Sequence, residues 1–202
     1  MTFRIEVFRG TETAPYIRAL ADMRLETFYE FPYLYVGKLE DELAYTQLYT
    51  LTPHGILVIA FEGETIVGLY SGLPLDTPGS MMKVWSDKLK EEGIILENCF
   101  YAGELIVKPA FQNKGIGSQL MKRLLREVDE RGFREIMGVT AIRPLNHPLR
   151  PQKYFDTDTI WGKYGLVKSS IILTGAWLTR QSDGTAKVED NQLACWLRKK
   201  PS

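Results

Sequence analysis

The 202-residue chain has little of what builds metal centres or covalent frameworks: two cysteines, Cys99 and Cys195, and two histidines, His54 and His147. They are scattered, so neither a disulfide framework nor ligands of metal-site spacing are expected, and no metal is. Unpaired cysteines suit a reducing compartment, and a cytoplasmic location is the expectation. Net charge is also missing, because 25 Lys plus Arg balance 25 Asp plus Glu. No long-range field draws nucleic acid or an anionic membrane, so neither is expected as a partner. No apolar run approaches the ~20 residues of a membrane-spanning helix. Met1 to Val7 alternates like a strand and lacks the apolar stretch of a secretion signal.

What is present is ordinary for a globular chain, 45% hydrophobic and 25% charged, and the length suits one domain over 1–202. Period-two alternation predicts a strand over Phe3 to Phe8, and helical spacing predicts helices over Thr13 to Tyr29 and Leu39 to Leu51. Two β runs, Ile56 to Phe61 and Thr65 to Leu73, flank a tight Glu62-Gly63-Glu64 link. After an irregular stretch, Pro74 to Gly93, with an amphipathic segment around Met82 to Leu89, Asn98 to Val107 reads as a strand. Gly115 to Arg131 is the strongest helix, with Ile116, Leu120, Met121, Leu124, Leu125 and Val128 on one stripe. Glu135 to Ile142 is a strand, Thr157 to Tyr164 a short helix, and Val167 to Leu173 another strand. Gln181 to Asp190 reads as polar turn, and Gln192 to Arg198 closes the chain as a strand. The order β-α-α-β-β-β-α-β-α-β-β indicates a single mixed α/β domain.

The chemistry concentrates where Glu104-Leu105-Ile106-Val107-Lys108-Pro109 runs through Ala110-Phe111 into Gln112-Asn113-Lys114-Gly115-Ile116-Gly117-Ser118. A strand enters a glycine-bearing loop and a long helix begins. Glycines allow close approach, and the first helical turn leaves N–H groups unpartnered under a positive dipole end. That combination suits a phosphate or pyrophosphate. A Walker A string is absent, and a dinucleotide fingerprint would need a small residue where Leu120 stands.

The string Gln112 to Gly117 resembles the Gln/Arg-x-x-Gly-x-Gly/Ala pyrophosphate loop of the GNAT acetyltransferases. The Glu-Leu-Ile-Val-x-Pro before it, the Leu pairs after it and the order of elements are also similar to that family. The resemblance implies a GNAT fold, with a mixed central sheet of about six to seven strands flanked by about four helices. It implies acetyl-CoA as cosubstrate and a primary amine as acceptor, attacked directly, with a homodimer as a possible assembly. Ile106 and Val107 would pair with the pantetheine arm. The amides of Gln112, Asn113, Lys114, Gly115, Ile116, Gly117 and Ser118 would hold the pyrophosphate, and Asn146 would contact the pantetheine.

A carboxylate at the position of Glu104 recurs in the family and marks it as the candidate base, although only a strand bulge decides which face it joins. Where many members carry a tyrosine as general acid, this chain has Trp161. Tyr154 and Tyr164 are the candidate substitutes. His147 stands in a proline-rich loop and reads as a packing residue, and neither cysteine has an activated setting. The alternative function is a non-catalytic sensor or scaffold that binds CoA or acyl-CoA on the same fold. The irregular stretch 74–93 and the aromatic run Phe28 to Tyr35 are the expected acceptor-side walls.

Overall fold

The computed structural model describes residues 3–78, 84–154 and 158–199. Seven strands form one sheet in the order β1-β2-β3-β4-β5-β7-β6. Their ranges are β1 Arg4–Arg9, β2 Ile56–Glu62, β3 Thr65–Pro74, β4 Cys99–Val107, β5 Glu135–Ala141, β6 Val167–Arg180 and β7 Ala186–Lys199. Only β4 and β5 run parallel, because α5 (Ile116–Glu130) carries the chain back between them; the other neighbours are antiparallel. The apolar stripe of α5 packs with Ile56, Val58, Tyr70 and Phe100 on one face of the sheet, beside α6 (Asp158–Lys163). On the opposite face α1 (Ile17–Phe28) sets Leu20 and Met23 against Leu57, Ile59, Leu69 and Ile106.

The N-terminal helix begins later than the spacing predicts. Gly10–Tyr16 forms a 3-10 segment, since Pro15 has no N–H and disfavours α geometry at Ala14 before it. The expected helix 39–51 divides at Gln47 into α2 (Leu39–Thr46) and α3 (Leu48–Leu51), where the Thr46 hydroxyl bonds back to the Glu42 carbonyl at 2.7 Å. Met82 lies outside the described residues, and α4 covers Ser86–Glu91. Leu89 and Trp85 of that insert pack against Met137 and Leu193 as part of the core.

The terminal hairpin departs most from expectation. Strands were expected over 167–173 and 192–198, yet β6 and β7 pair continuously from Ile172↔Ala194 to Arg180↔Ala186. The added arm finds partners far away in sequence. Val36 N–H bonds to Leu178 carbonyl at 2.8 Å, Arg180 N–H bonds to Leu34 carbonyl at 2.7 Å, and Tyr35 bridges Thr179. The segment between α1 and α2 therefore acts as one more partner for the hairpin. Local sequence could not signal pairing between residues so distant.

Trp161, at the position where many members of the resembled family carry a tyrosine, is a core residue. Its indole stacks on Trp196 with centroids 6.5 Å apart, and it covers Gly138 so closely that a Cβ there would lie 2.4 Å from the ring. Overpacking of this kind costs about 1–3 kcal/mol. Gly138→Ala should lower stability to chemical denaturation by that amount, and Trp161→Leu in the same chain should recover part of the loss.

Candidate active site

The site forms where β4 leaves both neighbours. Tyr70 pairs with Leu105 and Gly72 with Ala102, so Ser71 alone faces Gly103 and Glu104 in a bulge. On the other side, β4 pairs with β5 only through Cys99↔Glu135, Phe100↔Ile136 and Tyr101↔Met137. From Ala102 onward the β5-side edge of β4 is open, and the two strands enclose a wedge. Ile106 and Val107 lie on that edge, with Ile106 packed toward α1 and Val107 toward α5. The Tyr33 hydroxyl donates to the Val139 carbonyl at 3.3 Å, on the stretch of β5 that β4 has left.

The bulge turns Gly103 and Glu104 to the same face, the one covered by α1 and α2. A Cβ on Gly103 would come within 2.7 Å of the Ser71 hydroxyl and 2.9 Å of the Tyr49 hydroxyl, which is why no side chain fits there. Glu104 is buried at 5% exposure and saturated with donors. One carboxylate oxygen accepts from the Arg24 guanidinium and from the Tyr45 hydroxyl at 3.2 Å. The other accepts from the Tyr49 hydroxyl at 2.9 Å and from the Ser71 hydroxyl.

Arg24 also bonds to Glu42 through its Nε at 2.5 Å, and its guanidinium lies 4.9 Å from the Phe28 ring centre and 4.3 Å from that of Tyr45. Burial alone would lower the Arg24 pKa, but the Glu104 charge and its other neighbours hold it well above the usual value. Burial first, and then Glu104, push the Tyr45 and Tyr49 hydroxyls upward, so both remain protonated donors. Two carboxylates thus share one buried guanidinium.

At the far end of β4, Asn113 and Gly115 take φ of 60° and 80°, and Gly115 caps α5. Among the described residues no protein acceptor takes the amides of 113 to 118; the first amide of the helix with a partner is Gln119, bonded to Gly115 carbonyl at 3.1 Å. A run of open N–H groups around alternating backbone hands is an anion cradle, strengthened by the helix dipole. A Cβ at Gly115 would meet nothing within 4 Å, and one at Gly117 would meet only Val107 at 3.8 Å. Both glycines therefore leave open approach to the backbone, and the loop suits a pyrophosphate. The Gln112 side chain instead ties back to the Val107 carbonyl at 3.0 Å, and Lys114 sits over the Phe111 ring.

The two candidate tyrosines lie in different places. Tyr164 extends its hydroxyl to the Ser118 carbonyl at 3.4 Å, beside the anion cradle. Tyr154 packs edge-on against Phe31 at 4.8 Å and lines a cavity of about 190 Å³ at the C-terminal end of β5. Asn146 is exposed in the loop between. His147 accepts the Leu149 N–H at 3.2 Å, and burial together with Arg143 lowers its pKa, so it stays neutral and structural. Burial pushes the Cys195 thiol up to about 11 and the Cys99 thiol higher, which leaves neither as a ready nucleophile. Phe31 and Pro32, from the expected aromatic wall, do line the cavity; described residues of 74–93 do not.

Sequence reading missed Arg24, Glu42, Tyr45, Tyr49 and Ser71. Tyr45 and Tyr49 are four apart and so share a helical side, but nothing local tied them or Arg24 to Glu104, 80 residues away. Removing one partner of a buried ion cluster leaves an uncompensated charge at a cost of about 3–5 kcal/mol. Arg24→Met should lower stability on that scale, and Arg24→Met combined with Glu42→Gln and Glu104→Gln should restore much of it. Urea unfolding of the single and triple variants measures both.

The geometry has counterparts among known proteins. No curated protein sequence matches the chain significantly. An N-acetyltransferase from Staphylococcus aureus Mu50 superposes with a TM-score of 0.59 at 16% identity, over 98% of this chain and 99% of that one. A GNAT family acetyltransferase from Elizabethkingia anophelis, with acetyl-CoA bound, gives 0.55 at 16% identity over 98% of each chain. A ribosomal-protein-alanine N-acetyltransferase from Brucella melitensis gives 0.58 at 14% identity, over 99% of this chain and 100% of that one. At such identities the likeness speaks for the fold. The sequence model of the acetyltransferase (GNAT) family matches residues 17–151, about two thirds of the chain. The sheet that opens at β4, the cradle before α5 and this match lead to one assignment: the chain belongs to the GNAT acetyltransferase family.

Proposed function

We propose that this chain is an N-acetyltransferase that moves the acetyl group of acetyl-CoA onto a primary amine by direct attack. The observation that carries the reading is the pairing of an unpartnered amide run, 113–118, with an open β4 edge at Ile106 and Val107. The amides and Lys114 would bind the diphosphate. The strand edge would take the pantetheine amides as another strand would, with Asn146 as a further contact. Backbone donors on the open β5-side edge of β4 would face the thioester oxygen, where negative charge develops during attack. The two buried thiols favour direct transfer over a cysteine acyl-enzyme and suit a reducing, cytoplasmic setting.

An ammonium has no lone pair, so the acceptor must lose a proton before it attacks. Glu104 is the base in this reading. It works through Tyr45, which is half-buried and so lies nearer solvent than the fully enclosed Tyr49. The Tyr45 hydroxyl passes its proton to Glu104 as it takes one from the amine side. Tyr154, in the cavity, is the stronger candidate for protonating the departing thiolate. Tyr164 belongs with the diphosphate end.

The second reading, a non-catalytic acyl-CoA binder, draws on Trp161, whose indole fills the core where a family acid would stand. Release of free thiol from acetyl-CoA on addition of amines separates the two, because a pure binder releases none.

Acetyl-CoA at a hundred times its Kd should stabilise the chain by about 2.7 kcal/mol, read as a rise in melting temperature. Gly117→Val should weaken acetyl-CoA binding by about ten-fold or more by calorimetry, with stability nearly unchanged because its Cβ meets only Val107. An unaltered Kd would show that the phosphates bind elsewhere.

Glu104→Gln should lower turnover per folded molecule by about a hundred-fold, and Tyr45→Phe by a comparable factor, with acetyl-CoA affinity little moved. Both defects should shrink as pH rises and more acceptor is already neutral. Loss of stability with turnover intact would make Glu104 purely structural.

A further inference from the structure

The cavity beside β5 has an electrostatic character that the acetyl-transfer reading does not explain. Its walls include Phe31 and Pro32 from the segment after α1, Thr140 and Arg143 from the end of β5, and Arg150 and Tyr154 from the following loop. Lys168 and Asp158 complete the rim and pair with each other at 3.1 Å. Among the described residues, neither Arg143 nor Arg150 has a carboxylate within ion-pair distance. Glu189 acts on Arg143 only from farther away and is itself paired with Lys187 at 3.0 Å. Two half-buried guanidinium groups thus face one concavity, neither ion-paired to a carboxylate among the described residues, in a chain whose total charge is zero.

Arg143 is already committed, since it donates to the Pro32 carbonyl at 2.8 Å and the Tyr33 carbonyl at 3.0 Å. Arg150 is different. Its guanidinium lies 4.8 Å from the Tyr154 ring centre and 5.5 Å from that of Phe31, and among the described residues no carboxylate pairs with it. The loop that carries it is fixed by short-range bonds, His147 N–H to Pro144 carbonyl at 3.1 Å and Arg150 N–H to His147 carbonyl at 2.9 Å. A half-buried guanidinium held against two aromatic rings, on a loop fixed by its own backbone bonds, is preorganised for a carboxylate or phosphate.

The geometry points to Arg150 as the anchor of an anion subsite for the acceptor, so that the amine substrate carries a carboxylate or phosphate near its nitrogen. The inference rests on the acetyl-transfer reading and gives its acceptor a chemical class. Cavity size agrees, because about 190 Å³ is below the ~300 Å³ at which drug-sized pockets begin and admits only a small molecule. The anion is assigned to the acceptor because no residue of the cradle, 113–118, lines the cavity. The cradle lies instead by Tyr164, at the other end of α6 from Asp158. Tyr154, the candidate acid, lines the same space, which puts the anion's anchor beside the reacting end.

The test uses the full chain with acetyl-CoA and a panel of amino acids, aminoalkyl carboxylates and aminoalkyl phosphates, each beside its neutral amide or alcohol analogue. Thiol release is followed at a pH where both amines of a pair are equally deprotonated. At least one anionic acceptor should show a kcat/KM about ten-fold or more above its neutral partner, and whether it is a carboxylate or a phosphate identifies the source. Arg150→Met should abolish that preference through KM, Arg150→Lys should restore part of it, and acetyl-CoA Kd should stay within about two-fold. Equal use of neutral and anionic amines overturns the subsite. So does a rise in acetyl-CoA Kd in Arg150→Met, which would give the cavity to the cosubstrate. Acetyl-CoA binding with no thiol release from any anionic amine also overturns it while leaving the cradle intact; failure of the wild-type chain to bind acetyl-CoA would instead remove the reading beneath it.

Discussion

Two central strands that part within one sheet must each find other partners for the edge they expose. Here β4 and β5 pair over three residues and then separate, and the structure manages the opening from three directions. The bulge at Gly103 and Glu104 bends β4 away while keeping it on β3. Tyr33 takes a carbonyl of β5, and the segment after α1 crosses the mouth of the wedge. What stays open is the β4 edge leading toward the cradle, where the proposed cosubstrate would bring its amides and diphosphate. Closing the wedge by continuous pairing would give a better sheet and no site.

The same bulge explains the buried charges. An alternating strand would place residues 103 and 104 on opposite faces; the bulge puts both toward α1 and α2. Glu104 then lies among Arg24, Tyr45, Tyr49 and Ser71, where a single carboxylate would be costly to desolvate. Arg24 offsets that cost only in part, since it also serves Glu42. Two carboxylates on one buried guanidinium are poorly optimised for stability.

The long β6–β7 hairpin is the third element of this arrangement. Its outer arm holds residues 34 to 36 by backbone bonds, and Trp177 bonds the Tyr33 carbonyl at 3.1 Å. Arg143 reaches the same backbone from the end of β5. Phe31 and Tyr33 are therefore positioned from both sides, one as a wall of the cavity and the other across the wedge. Rigid support of this kind lets an irregular segment define a site.

By itself the sequence determined the elements whose signals are local. The stripe of α5, the strand before it, the hairpin turn at Gly63 and the glycine-bearing loop at 112–118 all follow from neighbouring residues, and with them the family and the cradle. Tertiary structure alone decided what depends on contacts across the fold. It set the face of Glu104, because a bulge is a mismatch between two strands and neither strand encodes it alone. Arg24 met Glu104 only when α1 packed over β4. The hairpin arm extended because residues 34–36 were there to pair with it. Trp161 became core, where many family members carry a tyrosine, because Gly138 left room for an indole against Trp196, a complementarity of shape between residues that no local pattern links.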